Sequence, residues 1–308
     1  MTGMMVMGVL DWLGDLPPAG VAAGVSLVVT LLTLIVSTFI APRVKFAYDE
    51  KLEVRRVELA YKSEQAKALK DHLARHRGRF LEAADDLSHR LWNYEQNQAR
   101  GWLKLTNRYA GQMAYYPLTF AYRLLAYQAA GRRMEREAFY VDATVAADED
   151  FAFLKSLKLG RQVWTSTVLF KELDYDVAIA RDHFFADRLA SMAEQLDTAE
   201  PAMRIKEFES AVAEEEHPFI DIFRFFDGLC AGEDRFRHDR VVCAHLILIA
   251  TLNRFGYDFQ CTPDDRILEV VANIENPEVL ANLKGMIEQV RLDRDPVFAQ
   301  LLSLISTE

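Results

Sequence analysis

The pattern of hydrophobic and polar positions changes at Pro42. From Ala19 to Ala41 the chain carries no charged residue, and a helix of these 23 residues would be about 34 Å long at about 1.5 Å per residue. A segment of about 20 apolar residues is long enough to cross the hydrocarbon core of a bilayer. After Pro42 the chain becomes rich in charge. The pattern predicts one transmembrane helix over 19–41, preceded by a short extracytoplasmic segment over 1–18.

The charges on either side of the apolar segment predict its orientation. Basic residues close to a span remain on the cytoplasmic side of the membrane. The first 42 residues contain no Lys or Arg, whereas a cleaved signal peptide begins with a basic region, which favours a retained anchor. We therefore expect a single-pass inner-membrane protein with its N-terminus outside and its C-terminal domain in the cytoplasm. The flanking charges are Asp11 and Asp15 before the span and Arg43, Lys45, Lys51, Arg55 and Arg56 after it.

A long amphipathic helix is predicted directly after the span. Apolar residues recur every seven positions from Leu52 to Leu87, which keeps one stripe of a helix apolar. Arg55 and Lys62 lie three residues after the first two stripe positions, so the pattern does not support a two-stranded coiled coil there. We predict a juxtamembrane stalk helix over 42–79. The stripe consists of Leu52, Leu59, Ala66, Leu73, Phe80 and Leu87.

The rest of the chain, residues 80–308, predicts a cytoplasmic helical domain. No part of it alternates like a strand over a useful length, and glycine is sparse. The stretch "HDRVVCAHLILIATL" is typical of a buried helix. Thr262, Asn276 and Asp295 each precede a proline, which is the order of an N-cap and a first helical residue, and so three short helices are expected there. The predicted fold class is all-α: a single transmembrane helix, a long juxtamembrane amphipathic helix and a cytoplasmic helical bundle.

The segment "FLEAADDLSHRLWN", from Phe80 to Asn93, follows a charged helix and a single span. In this arrangement the chain resembles a group of uncharacterised bacterial membrane-anchored helical proteins. The resemblance covers the span, the helix and this segment. Because the group has no established activity, the resemblance implies no site residues.

The balance of charge bears on the partners. The formal net charge is −10, which argues against a nucleic-acid partner. Residues 43–79 hold 11 basic and 6 acidic side chains beside the predicted membrane, where anionic headgroups would lie. Residues 141–235 hold 10 basic and 21 acidic side chains. We expect the lipid bilayer as one partner, and another protein or a second copy of the chain as the other.

Three cysteines fall in the predicted cytoplasmic part: Cys230, Cys243 and Cys261. Their odd number and the lack of a C-x-x-C pair predict buried free thiols. The spacing of Cys230 and Cys243 from His238 and His245 matches no zinc site. On the predicted buried helix, Cys243 would act as a small apolar side chain and His245 as a hydrogen-bonded core histidine.

One pattern is suggestive of a metal site. Glu214 and His217 have the Glu-x-x-His spacing with which di-iron sites direct two ligands inward from one helix, and Asp86 with His89 gives an Asp-x-x-His variant. Pro218 follows His217 directly, and a helix normally ends before a proline. The favoured interpretation is therefore a solvated acidic helix end, with Glu214, His217 and His89 as alternative metal ligands.

No phosphate-binding glycine loop and no nucleophile elbow occurs in the sequence, and we expect no cofactor. Arg75, Arg77 and Arg79 would suit phosphate or anionic lipid, or would form the solvated face of a helix. The main hypothesis is a membrane-anchored scaffold, sensor or regulatory protein that acts through protein contacts or self-assembly. The alternatives are a membrane-perturbing effector of a defence or toxin system and a membrane-tethered enzyme with an unrecognised metal site.

Overall fold

The structure is a computed structural model that describes residues 18–138, 147–197 and 202–306. Within these ranges every regular element is helical and no strand occurs, which confirms the all-α class. The chain divides into two compact units, with the boundary between Glu64 and Gln65. The predicted extracytoplasmic segment lies outside the described residues, except for Pro18.

The described part of the first unit, residues 18–64, is helical. Helix α1 (Pro18–Ile35) continues through a π-helical turn (Val36–Ile40) into α2 (Ala41–Asn97), which contains the boundary between the units. This N-terminal helical stretch is long and apolar enough to cross a membrane, and none of its apolar part is buried inside the chain. A membrane span and a signal sequence both fit these properties.

The apolar stripe predicted along α2 has two different environments. Leu59 is 67% exposed, whereas Leu73 is 4% exposed and packs in the core of the second unit. Burial begins at Leu69, ahead of the boundary predicted after residue 79. The second half of the stripe is therefore the inner face of an intramolecular helical domain, whereas in its first half Leu59 is exposed and Leu52 and Ala66 are half-buried.

The second unit contains the rest of α2 and nine further helices in its described part. They are α3 (Tyr115–Ala138), α4 (Asp148–Thr165), α5 (Ala186–Asp197), α6 (Ile205–Val212), α7 (Ile220–Phe226), α8 (Arg237–Phe255), α9 (Asp264–Val271), α10 (Pro277–Gln289) and α11 (Pro296–Ile305). Short 3₁₀ turns lie at Gln98–Arg100, Thr167–Phe170 and Asp258–Gln260.

Helix α8 lies at the centre of this unit. All its residues from Arg237 to Leu252 are buried, and it packs against α4, α9, α10 and α11. A helix that is apolar around most of its circumference has to be covered on every side, and four neighbours cover this one. The prediction of a buried helix over "HDRVVCAHLILIATL" is confirmed.

The three short C-terminal helices are present, but only one of the three predicted caps forms. Asp295 accepts a hydrogen bond from the backbone N–H two residues on, at 3.1 Å, as an N-cap does. The residue before α9 is Pro263, so Thr262 lies one position too early to cap that helix. The amide of Asn276 donates to Asp239 at 2.6 Å and makes no cap bond to α10.

Candidate functional site

The Glu-x-x-His pair does not form the arrangement of a metal site. Helix α6 ends at Val212, so Glu214 and His217 do not project from one helix, and Glu214 is exposed. His217 is buried, with Nε2 2.6 Å from the carbonyl oxygen of Tyr109, and its Nδ1 accepts the backbone N–H of Phe219 at 3.1 Å. Because both ring nitrogens bond to the backbone, His217 connects the loop that precedes α3 to the loop that precedes α7.

His89 is on the exposed side of α2. Its Nδ1 lies 3.0 Å from the carbonyl oxygen of Asp85, one turn earlier. The structure does not bring His89 together with Glu214 and His217 as a ligand set, and in the described part of the chain no group of three His, Cys, Asp or Glu side chains could hold a metal ion.

The cysteines and their neighbouring histidine follow the predictions in part. Cys243 is buried, and burial raises the pKa of its thiol, which keeps it neutral. His245 is a hydrogen-bonded core histidine, with Nδ1 2.6 Å from Oε1 of Glu95. All three cysteines are free, but Cys261 is exposed and Cys230 half-buried, so the expectation of burial is wrong for these two.

The arginine run on α2 is partly used in packing. The guanidinium of Arg77 lies 5.4 Å from the ring centre of Phe153 and 5.7 Å from that of Phe255, and it donates to the carbonyl oxygen of Phe255 at 3.0 Å. Arg75 donates to the carbonyl oxygen of Asp71 at 3.4 Å. Arg77 therefore joins α2 to α4 and α8.

A fully buried arginine fixes a long loop against α8. Arg240 donates to the carbonyl oxygens of Asp182 at 2.5 Å and Ser166 at 2.9 Å, and its guanidinium lies 4.5 Å from the ring centre of Phe170. Burial lowers the pKa of Arg240 to about 10, so it stays charged at neutral pH. The loop between α4 and α5 is thus held in one place by carbonyl contacts.

The same loop forms a buried ion pair. Asp182 is 2% exposed; its Oδ1 accepts from Nε of Arg235 at 2.6 Å, and its Oδ2 accepts the backbone N–H of Phe236 at 3.2 Å. Arg235 also donates to the carbonyl oxygen of Arg181. Two clefts open beside this pair, and Arg181 and Arg235 line both of them.

The first of these clefts is acidic. It has a volume of about 670 Å³. Its walls carry six carboxylates alongside the two shared arginines. The acidic side chains are Asp174, Asp176, Asp182, Glu233, Asp234 and Glu275.

The second cleft has a volume of about 510 Å³ and the opposite charge. Four arginines line it, with one histidine and a single carboxylate. We call it the basic cleft, and its polar side chains are Tyr109, Arg181, His183, Arg188, Asp221, Arg224 and Arg235. Arg188 comes from α5, Arg224 and Asp221 come from α7, Tyr109 comes from the loop that precedes α3, and the others come from the segments that precede α5 and α8.

His183 lines the basic cleft from a buried position, with only 3% of its surface exposed. Its Nδ1 lies 2.5 Å from the hydroxyl of Tyr175, and this hydroxyl accepts the backbone N–H of Asp182 at 3.2 Å. The arrangement in which the hydroxyl donates to Nδ1 satisfies both groups and places the imidazole proton on Nε2. Burial and then the nearby charge of Arg240 lower the pKa of His183, so the ring is neutral at pH 7.

A second candidate surface lies on α2 in the first unit. Val54, Val57 and Tyr61 are 62%, 63% and 52% exposed. Their spacing of three and four residues places them on one side of the helix, which we call the Val54 face. Leu59, from the predicted stripe, lies on another side. Large apolar side chains that stay exposed in this way are typical of contact surfaces.

The sequence did not reveal the basic cleft, because its residues come from four separate segments. Arg181 and His183 lie in a loop, and Arg188, Arg224 and Arg235 follow at wide and irregular intervals. No motif links them: α5 and α7 come together because both pack on α3, and the pair between Asp182 and Arg235 joins the segments before α5 and α8. The charged run "RHDR" at the start of the apolar α8 indicated buried charges that require partners, and Arg240 in it does hold the loop at Asp182, but none of these four residues lines the cleft.

No family model, no curated protein and no solved structure matches the chain. The resemblance carried by Phe80 to Asn93 therefore stays a prediction. Any function assigned to the protein rests on its own fold, burial and charge.

Proposed function

We propose that the protein is a single-pass membrane-anchored helical scaffold or regulatory protein that acts by self-assembly through the part of α2 next to the span. The observation that carries this proposal is the exposure of the Val54 face. Its three apolar side chains lie on a helix that continues directly from the exposed apolar stretch of α1. A soluble helix would bury such a face against its own chain.

A second copy of the chain is the partner that this geometry favours. If two copies are anchored in one bilayer by α1, their α2 helices would leave the membrane parallel to each other and in register. Each residue would then lie opposite the same residue of the other copy. A face with spacing of three and four then meets itself, as in a parallel coiled coil. Burying one large apolar side chain stabilises by about 1.5–3 kcal/mol. The Leu52–Leu59 stripe fits less well, because Arg55 and Lys62 flank it.

The hydroxyl groups of the apolar stretch support an anchor. Thr30 donates to the carbonyl oxygen of Ser26 at 2.7 Å, and Thr33 donates to that of Val29 at 2.8 Å. Hydroxyls that bond within their own helix are compatible with contact to lipid. This favours a lipid-facing span over the pore lining that a membrane-perturbing effector would need.

The membrane orientation is part of the proposal. The basic residues after Pro42 support a cytoplasmic position for α2 and the helical domain, because basic residues close to a span remain on the cytoplasmic side. A reporter that works only in the cytoplasm, fused to the C-terminus, should be active. Activity from a periplasm-specific reporter at that position would contradict the orientation.

The self-assembly is tested by the mass of the full chain in nanodiscs or mild detergent. Val57→Glu places a charge on the Val54 face, where association would have to desolvate it, so we expect the oligomer to dissociate at least tenfold more readily. Ser63→Glu adds the same charge at an exposed position off this face and should leave the mass unchanged. A wild-type chain that stays monomeric at micromolar concentration, or equal effects of the two variants, would disprove the proposal.

A further inference from the structure

We infer that the basic cleft binds a small molecule that carries a phosphate group. Its volume of about 510 Å³ lies within the range of about 300–1,000 Å³ that is usual for small-molecule sites. The inference concerns the helical domain alone. It does not depend on self-assembly through the Val54 face.

The distribution of charge is the first argument. Residues 141–235 hold 10 basic and 21 acidic side chains, and four of those ten basic residues line this one cleft. With His183 neutral and Arg235 paired with the buried Asp182, the other three arginines against Asp221 leave a local net charge of +2. A positively charged cleft within an otherwise acidic segment attracts anions and raises their local concentration.

Two of the four arginines are held in place by hydrogen bonds to the protein, and the side chains of the other two can reorient towards a ligand. Asp182 fixes the guanidinium of Arg235, and Arg181 donates to the carbonyl oxygen of Asp234 at 3.5 Å. Arg188 is exposed and has no hydrogen bond or ion pair with any described residue. Arg224 lies 3.4 Å from the exposed carboxylate of Asp221, and its guanidinium is 5.8 Å from the ring centre of Tyr109. Guanidinium groups offer paired N–H donors that match the oxygens of phosphate.

His183 adds a neutral donor to these cations. Its Nδ1 is occupied by Tyr175, so Nε2 is the nitrogen that remains without a partner among the described residues. A neutral imidazole with its proton on Nε2 donates to a phosphate oxygen without having to gain charge in a cluster of arginines. This buried, oriented group distinguishes the cleft from a patch of surface arginines.

An aromatic side chain beside His183 indicates that the ligand carries a planar or apolar group in addition to the phosphate. Phe185 lines the cleft, is 46% exposed, and lies with its ring centre 5.3 Å from that of His183 in an edge-to-face arrangement. An exposed ring at this position offers contact to a planar or apolar group joined to the phosphate. A nucleotide and a lipid phosphate both have such a group, and they share the phosphate chemistry.

Titration calorimetry on the full chain in an uncharged detergent tests the inference. The probes are inorganic pyrophosphate, AMP and a short-chain phosphatidic acid, and we expect at least one to bind. Arg188→Glu and Arg224→Glu should each weaken binding at least tenfold. Arg294→Glu reverses the charge of an exposed arginine outside the cleft and should have no effect. Tightest binding of AMP would identify a nucleotide as the source, and tightest binding of phosphatidic acid a lipid headgroup.

Thermal unfolding separates loss of the site from loss of the fold. Arg188→Glu should unfold at the wild-type temperature without a ligand, because the side chain it replaces is exposed and unpaired in the described structure. The probe that binds should raise the unfolding temperature of the wild type and not that of the variant. Val57→Glu should still bind the probe. No binding of any probe, or the same loss in Arg294→Glu, would overturn the inference.

Discussion

Nε of Arg235 lies 2.6 Å from Oδ1 of Asp182, and this ion pair joins the segment before α8 to the loop before α5. The carboxylate is almost completely buried, and the guanidinium is mostly so. The pair forms the wall between the acidic and the basic cleft. Both clefts therefore depend on a contact between residues 53 positions apart in the chain.

Breaking this pair should strongly destabilise the helical domain. Asp182→Ala leaves Arg235 without its anion and also removes the acceptor of the Phe236 backbone N–H. Removal of one partner of a buried pair costs about 3–5 kcal/mol, because the other charge stays buried without compensation. Urea unfolding of the full chain should show a fall of this size in the free energy of unfolding.

The exposed pair on α7 is a matched control for this effect. Asp221 and Arg224 lie 3.4 Å apart, and both side chains are about half exposed. Because water and salt screen such pairs, Asp221→Ala should change the free energy of unfolding by no more than about 1 kcal/mol. Equal losses in the two variants would mean that Asp182 has no special role in the fold.

Two leucines of the predicted stripe should respond differently to the same substitution. Leu73 is buried, so Leu73→Ala should lower the free energy of unfolding by about 2–5 kcal/mol. Leu59 is exposed, so Leu59→Ala should change it by about 0.5 kcal/mol or less. Chemical denaturation at low protein concentration, where no oligomer forms, measures both. Similar effects would show that the stripe has one environment along its length.

The sequence could predict those elements that local signals determine. Helix α8 was recognisable because ten of the fifteen residues in "HDRVVCAHLILIATL" are apolar. Helices α10 and α11 begin at their prolines, since a proline at the first helical position loses no hydrogen bond. The cap at Thr262 was misplaced by one residue because Thr262 instead pairs with Asn253, whose Oδ1 accepts its backbone N–H at 2.7 Å.

Features that depend on distant contacts could not be predicted. The seven-residue stripe on α2 is continuous in the sequence, but it is buried only from Leu73 onward, and its Phe80 packs on Tyr127 of α3 and Phe153 of α4. The Glu214 to His217 spacing suggested a helix, but the chain leaves the helical conformation after Val212. The basic cleft exists only after several elements have packed together.

Close packing between α3 and α4 gives a further prediction. A Cβ atom on Gly160 would lie 2.1 Å from the hydroxyl oxygen of Tyr127, which is far inside van der Waals contact. Gly160→Ala should therefore lower the free energy of unfolding, by about 1–3 kcal/mol as is usual for overpacking. Combining it with Tyr127→Phe removes the clashing oxygen and should recover part of the loss. A double-mutant cycle measures the coupling, and strictly additive effects would contradict the contact.

The last prediction concerns the dependence of stability on pH. Tyr175 bonds to Nδ1 of His183, and the arginines of the basic cleft line the same cavity; of the nearby charges, Arg240 disfavours protonation of the ring and Asp182 favours it. Burial is the largest effect, and together they lower the pKa of His183 below the value of 6.5 expected for the unfolded chain. Below pH 6.5 the unfolded chain therefore binds a proton that the folded chain does not. The contribution of His183 to the free energy of unfolding is fully present above pH 6.5. It is lost as the pH falls through the folded pKa, at up to about 1.4 kcal/mol per pH unit.

Urea unfolding of the full chain at pH 7.5 and pH 5.5, in phosphate-free buffer, measures this loss. His183→Gln does not titrate, so its stability should fall less between the two pH values than that of the wild type. His89→Gln, at an exposed position, controls for the loss of a histidine as such and should behave like the wild type. If the basic cleft holds a phosphate group, pyrophosphate should also reduce the pH dependence of the wild type, because a bound anion beside the imidazole favours its protonated form. Identical pH dependence of the wild type and His183→Gln would mean that His183 titrates alike in the folded and unfolded chains.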